Sequence, residues 1–174
     1  MRAIRREVNT PNFVPDFVAK SLMDFDFKAL RKQGVRFVAF DADSTLVNFR
    51  GKVLSNDTKL FLQKQRKYFD KWCIASNRIT NDLLPLGDSM DAPVIRASLF
   101  TRKPSRRFFN SVIKLFGAHP HEIAMIGDKL IADIYGGNKS GLVTVWVEKL
   151  GTDSIWDRWL HVRAIEKWIT RRYL

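Results

Sequence analysis

Four apolar residues that run into two aspartates, Phe37-Val38-Ala39-Phe40-Asp41-Ala42-Asp43, constrain this chain more than any other stretch. An uninterrupted apolar run of this length fits a strand buried on both faces, as in a parallel sheet. Side chains two apart on a strand point the same way. Asp41 and Asp43 can therefore converge at the strand's carboxyl end, where open α/β sheets bind ligands. Two like charges held close resist joint ionisation unless a cation or a proton lies between them. An isolated Asp-x-Asp is also common as a solvated turn after a core strand, so the rest of the chain decides.

The order of the other elements supports a parallel sheet. Prolines at 11 and 15 bias residues 11–18 towards an extended or turn-rich segment. Asp24 or Asp26 can cap a short helix, about Phe27 to Gln33, closed by Gly34. Phe13, Phe17 and Leu22-Met23 suit either the core or a membrane surface. Beyond the motif, Asn48 to Lys52 reads as a hairpin turn or flap tip, and Ser55 or Asn56 caps an amphipathic helix to about Phe69. A second buried strand covers Lys71 to Ala75. A short helix follows around Thr80 to Leu84, stopped by Pro85, and then a strand at Pro93 to Arg96. Next come a helix, Arg106 to Phe116, a strand, Ile123 to Ile126, and a helical stretch, Leu130 to Tyr135. Gly136-Gly137-Asn138 breaks that stretch before a last strand, Leu142 to Val147.

This alternation predicts an α/β fold in three layers: a parallel sheet of about five strands with helices on both faces. Right-handed crossovers then bring all the carboxyl ends to one edge. The 174 residues suit one domain, 1–174, with its core over about 35–147 and a lead-in over 1–34. A final helix is expected over about 154–172. It carries Trp156, Trp159, Leu160, Ala164 and Trp168 near helical spacing, with Arg158, Arg163, Lys167, Arg171 and Arg172 around them. Such a helix can pack on the core or lie in a membrane interface.

Thirty basic against eighteen acidic residues give a net charge of +12, which favours an anionic membrane surface, nucleic acid or a polyanionic substrate. The single cysteine, Cys73, lies in an apolar run and reads as a core residue in a reducing compartment. No apolar stretch reaches the roughly 20 residues that span a bilayer. The basic N-terminus lacks the apolar segment of a secretory signal. Residence in the cytoplasm, with possible contact at a membrane periphery, is the expectation.

Complementary polar groups arrive at four successive strand ends. The first offers Asp41 and Asp43; the second offers Ser76 and Asn77, which can donate to a phosphate oxygen. Lys103 precedes the helix after the third, and Gly127-Asp128 ends the fourth, with Asp133 five residues on. Singly, each has a bland reading: a turn, a solvated cation, a helix cap, an exposed acid. In this order they form a set.

That set resembles the haloacid-dehalogenase-like (HAD) superfamily of phosphotransferases. Asp41 to Leu46 matches its Asp-x-Asp-x-Thr-Leu motif; Ser76 and Lys103 match its second and third motifs. Gly127-Asp128 with Asp133 matches Gly-Asp-x-x-x-x-Asp. The lead-in Ser21 to Leu30, the compact spacing and Gly136-Gly137-Asn138 are similar to the subgroup of bacterial YqeG and mitochondrial phosphatidylglycerophosphate phosphatase. Ser44 departs from the asparagine more common there.

The resemblance implies a Rossmannoid phosphatase that uses Mg²⁺ and an aspartyl-phosphate intermediate. Asp41 would be the nucleophile and a metal ligand, and Asp43 the acid and base as well as a ligand through its backbone carbonyl. Asp128 would supply a further side-chain oxygen, with phosphate and waters completing the octahedron, and Asp133 would hold a metal-bound water. Lys103 would balance charge and, with Ser76 and Asn77, bind phosphate.

The connections 47–71 and 77–103 are too short for the inserted cap domain that small-substrate members carry. An open site suits a bulky substrate, such as a lipid phosphate at an anionic membrane, of which phosphatidylglycerophosphate is suggested by the resemblance alone. Two alternatives stay open. One is a phosphatase of soluble nucleotides, sugar phosphates or nucleic-acid ends. The other is a non-catalytic protein whose basic face binds RNA or a protein partner.

Overall fold

The computed structural model describes residues 2–3, as backbone, and 12–150. The strands are β1 (Arg2–Ala3), β2 (Phe17–Ala19), β3 (Phe37–Phe40), β4 (Lys71–Ser76), β5 (Val94–Arg96), β6 (Ile123–Gly127) and β7 (Val143–Val147). The helices are α1 (Phe27–Lys32), α2 (Asn56–Gln65), α3 (Leu84–Met90), α4 (Arg106–Phe116) and α5 (Gly136–Lys139). They build one sheet in the order β1-β2-β7-β6-β3-β4-β5, parallel throughout except for the antiparallel β1. The expected C-terminal helix lies outside the described residues.

The apolar run of β3 is uninterrupted because the strand sits mid-sheet, between β4 and β6, and both its faces are covered. Val38 and Phe40 face one layer with Trp72, Ile74, Ala124 and Ile126, against Phe27 and Leu30 of α1, Leu62 of α2 and Leu86 of α3. Phe37 and Ala39 face the other with Cys73, Ala75, Ile123 and Met125, against Phe108, Phe109 and Val112 of α4. Alternate side chains thus supply two cores, giving the three layers that the alternating pattern predicts. Cys73 is a buried thiol in the second.

All five expected strands form, and the sheet extends further. Phe17–Ala19, read as an extended or turn-rich segment, is a parallel strand in register with Val145–Val147. Its three residues are buried on both faces, so they give no alternating pattern. Phe17 and Leu22 pack in the first core, which settles them as core residues, whereas Met23 is exposed. Asp16 fastens the entry to β2, since its carboxylate accepts the Thr144 N–H at 2.8 Å.

The caps follow the residue chemistry. Asp26, Ser55 and Ser105 accept backbone N–H groups in the first turns of α1, α2 and α4. Gly117 closes α4 in the left-handed region, with φ of 60°. Two boundaries differ from expectation. Pro85 begins α3 instead of stopping a helix, because the first turn needs no N–H from it. Gly136-Gly137 does not break the helical stretch: a wide turn, Leu130–Tyr135, runs directly into α5.

These glycines permit close approach. A Cβ on Gly136 would lie 2.4 Å from the Phe109 ring and 2.9 Å from Pro104 Cα, and one on Gly137 would lie 2.8 Å from Thr144 Cγ2. Alanine is the better helix former by about 1 kcal/mol, but overpacking costs about 1–3 kcal/mol. Gly136→Ala is therefore expected to destabilise the protein in urea unfolding. A neutral or stabilising result would show that Phe109 and Pro104 yield without cost.

Candidate active site

Every strand from β2 to β7 runs the same way, so the loops after β3, β4, β5 and β6 gather at one edge. Asp41 extends β3 by one residue, its N–H donating to Ile126 O at 2.8 Å. The chain then folds back: Ser44 N–H donates to Val47 O at 2.7 Å, and the Leu46 and Val47 N–H groups reach Ala42 O at 3.1 Å. Ser44 adopts φ of 64°, in the left-handed region that asparagine tolerates better than most residues.

Four of the expected residues meet below this turn. Lys103, 2 % exposed, points its ammonium at Asp41 Oδ1 (2.7 Å), Asp133 Oδ1 (2.6 Å) and Ala75 O (2.7 Å), so each of its three hydrogens has an acceptor. Asp128 accepts Thr45 Oγ1–H at 3.4 Å on one oxygen, while its other oxygen, Oδ2, is buried without a partner. One oxygen from each of Asp41, Asp128 and Asp133 falls within 4.8 Å of the others. Gly127 makes room for this: a Cβ there would lie 2.2 Å from Asp133 Oδ2.

Ser76 is buried beside them and accepts the Arg78 N–H at 3.2 Å. Asn77 faces Lys103: its Oδ1 accepts the Lys103 N–H at 2.7 Å and its Nδ2 donates to Lys103 O at 3.0 Å. The contacts Asn77 makes therefore orient the lysine backbone, where a phosphate contact was expected of it.

The Asp43 side chain turns away from the cluster towards Arg78. Arg78 Nε donates to Asp43 Oδ2 at 2.8 Å, and a second guanidinium nitrogen donates to Oδ1. Arg50 N–H also donates to Oδ1 at 2.6 Å. Arg78 Nη1 reaches Gly51 O at 2.9 Å and so ties the loop after β3 to the end of β4. Reading by motif missed Arg78, and its adjacency to Ser76-Asn77 was the available signal. Lys129 was missed likewise. Its ammonium lies 3.2 Å from Asp41 Oδ2 and 3.4 Å from Asp128 Oδ1, as a cation between the two carboxylates.

The electrostatics separate the acids. Burial would raise Asp41, but Lys103 and Lys129 outweigh it and hold its carboxyl below the ordinary range. Burial pushes Asp128 up to about 7; Lys129 opposes the rise, and Asp41 and Asp133 add to it. Burial raises Asp133 too, against the pull of Lys103. For Lys103 burial is again the largest effect, lowering it, yet Asp133 and Asp41 hold it above the ordinary lysine value. Three carboxylates against two ammonium groups leave the cluster one negative charge in excess when all are ionised. With an orphaned carboxylate oxygen in a buried site, these residues fit a hard divalent cation.

A cavity of about 870 Å³ opens above this cluster, lined by Asp43, Asn77, Arg78, Arg102, Lys103 and Lys129 among others. Neither the loop after β3 nor the segment between β4 and β5 carries an inserted domain over it.

A HAD-hydrolase-like family model matches residues 100–154. Over 135 residues the chain is 24% identical to the probable phosphatase YqeG of Bacillus subtilis, covering 78% of this chain and 77% of that one. Over 167 residues it is 24% identical to phosphatidylglycerophosphate phosphatase 1, chloroplastic/mitochondrial, of Arabidopsis thaliana. That match takes in 92% of this chain but about half, 48%, of the plant protein. The fold is similar to the crystal structure of an uncharacterized protein from Listeria monocytogenes serotype 4b. The TM-score is 0.56 at 19% identity, over 70% of this chain and 84% of the other. In these matches the chain is similar to HAD-like hydrolases, among them relatives named as phosphatases.

Proposed function

We propose that this protein is a Mg²⁺-dependent phosphatase that opens a phosphate monoester by way of an aspartyl phosphate on Asp41. The observation that carries this reading is the buried, unpartnered oxygen of Asp128 beside an Asp41 carboxylate that two lysines keep ionised. Asp41, Asp128 and the Asp43 backbone carbonyl are the groups that would hold Mg²⁺. Asp133, engaged by Lys103 and by the Lys129 N–H at 3.1 Å, supports the site from behind. When bound, the ion supplies positive charge that lets a phosphate dianion approach a carboxylate.

The residues of the chain divide the remaining work. An Asp41 oxygen attacks phosphorus as the bond to the ester oxygen breaks, with Lys103 balancing the charge and Ser76 holding a phosphoryl oxygen. Asp43 gives its proton to the departing alkoxide. It then takes a proton from the water that attacks phosphorus, which releases inorganic phosphate and restores Asp41. Proton delivery requires an Asp43 oxygen freed from Arg78. Because Arg78 lines the cavity, an incoming phosphate offers it a second anion. Asn77 acts through Lys103, which it positions.

The finer part of the proposal concerns substrate. A cavity with no inserted domain above it leaves water exclusion to the substrate, which favours a bulky phosphate ester. The similarity to the Arabidopsis enzyme points to a phospholipid monoester, with phosphatidylglycerophosphate the first to try.

Asp41→Asn is expected to lower Mg²⁺-dependent phosphate release by ~10³-fold or more, on lipid and soluble monoesters alike. Turnover at the parent rate would remove Asp41 from the nucleophile's role. Chelating the metal should abolish release in the parent.

A second prediction follows from Asp128. Its folded-state value of about 7 lies above the ordinary aspartate value, so its contribution to stability is present below the ordinary value. That contribution is lost as pH rises through about 7. Asp128→Asn removes the loss, so at about pH 8 the metal-free variant should be no less stable than the metal-free parent. Mg²⁺ should raise the parent's melting temperature and leave the variant's unchanged. A parent insensitive to Mg²⁺ would overturn the metal assignment.

A further inference from the structure

Among the described residues, five of the ten large apolar side chains left in water sit at the edge that carries the site. Phe49 in the β3–α2 loop, Ile79 after β4, Leu99 and Phe100 in the β5–α4 loop, and Ile131 after β6 are all exposed, Leu99 and Phe100 by 82 % each. Phe49, Ile79 and Ile131 line the mouth of the cavity, together with Arg50 and Arg102. The Leu99-Phe100 tip is a built turn: Ser98 N–H donates to Thr101 O at 2.8 Å and the two hydroxyls lie 2.6 Å apart. The acids at the mouth, Asp43 and Asp82, share Arg78, and Arg50, Arg102 and Lys149 in the same lining bring the rim to a net positive charge.

Large apolar tips held out by several separate loops, around a hole that ends in a phosphate-type site, have the shape of an interfacial surface. A protein partner would be met by a continuous groove or face. A nucleic acid would be met by aromatic platforms, whereas Ile79, Leu99 and Ile131 are aliphatic. We infer that the loops at the carboxyl edge dock on an anionic lipid bilayer. The apolar tips would enter the headgroup zone while Arg50 and Arg102 meet its negative charge. This rests on the reading of the substrate as a lipid phosphate, and it locates the membrane contact at the mouth of the site.

The test separates docking from catalysis. Asp41→Asn full-length protein should float with vesicles of phosphatidylcholine containing about 30% phosphatidylglycerol, and less with phosphatidylcholine alone. Adding Leu99→Ser with Phe100→Ser should weaken flotation by at least about tenfold, with melting temperature unchanged. In the otherwise unmodified chain the same pair should leave hydrolysis of p-nitrophenyl phosphate unchanged. Flotation of the double variant equal to its parent, or no flotation of the parent, would overturn the inference. Flotation lost with the double variant supports it, even where no lipid phosphate is hydrolysed and the proposed substrate fails.

Discussion

The buried ammonium of Lys103 is the interaction on which the functional half of the molecule depends. It joins the ends of β3 and β4 to the loop after β6, through Asp41, Ala75 and Asp133, while its own backbone is held by Asn77. A lone charge at this depth would be untenable, and removing one partner of such a buried pair costs about 3–5 kcal/mol. The arrangement is therefore self-enforcing, because the loops must converge for the lysine to be buried at all. Geometry that serves chemistry is held here by an electrostatic requirement of the fold.

The same cluster is not neutral, and that imbalance is useful. Lys103 and Lys129 cannot offset three carboxylates, and burial resolves the excess by pushing Asp128 up and leaving Asp41 ionised. A carboxylate kept anionic without being exposed is what a nucleophile towards phosphorus requires. An acid raised to about 7 with one oxygen unpartnered is what a cation completes. Asp43 stands apart from this arrangement, turned to Arg78 at the cavity wall. Two aspartates two residues apart thus occupy distinct environments and suit distinct tasks.

Much of this was legible in the chain. The β3 run and its aspartates, the span of α4 and its capping serine, and the order of polar groups at strand ends all rest on local chemistry and spacing. What escaped was decided by partners distant in sequence. Phe17–Ala19 carries no strand pattern because β7 pairs with it from more than a hundred residues away. Gly136-Gly137 looks like a helix break because the Phe109 ring that demands a missing Cβ lies on another helix. Arg78 and Lys129 read as ordinary surface cations until the sheet sets them against Asp43, Asp41 and Asp128.

The sequence by itself determined the class of fold and the strand edge at which Asp41, Asp43, Asp128 and Asp133 stand, since strand periodicity and charge type act over a few residues. Only the tertiary structure decided which acid is orphaned, which lysine is buried and which arginine holds Asp43. It also decided that apolar loop tips surround the opening. Burial and pairing are properties of the packed whole, and no short window of sequence contains them.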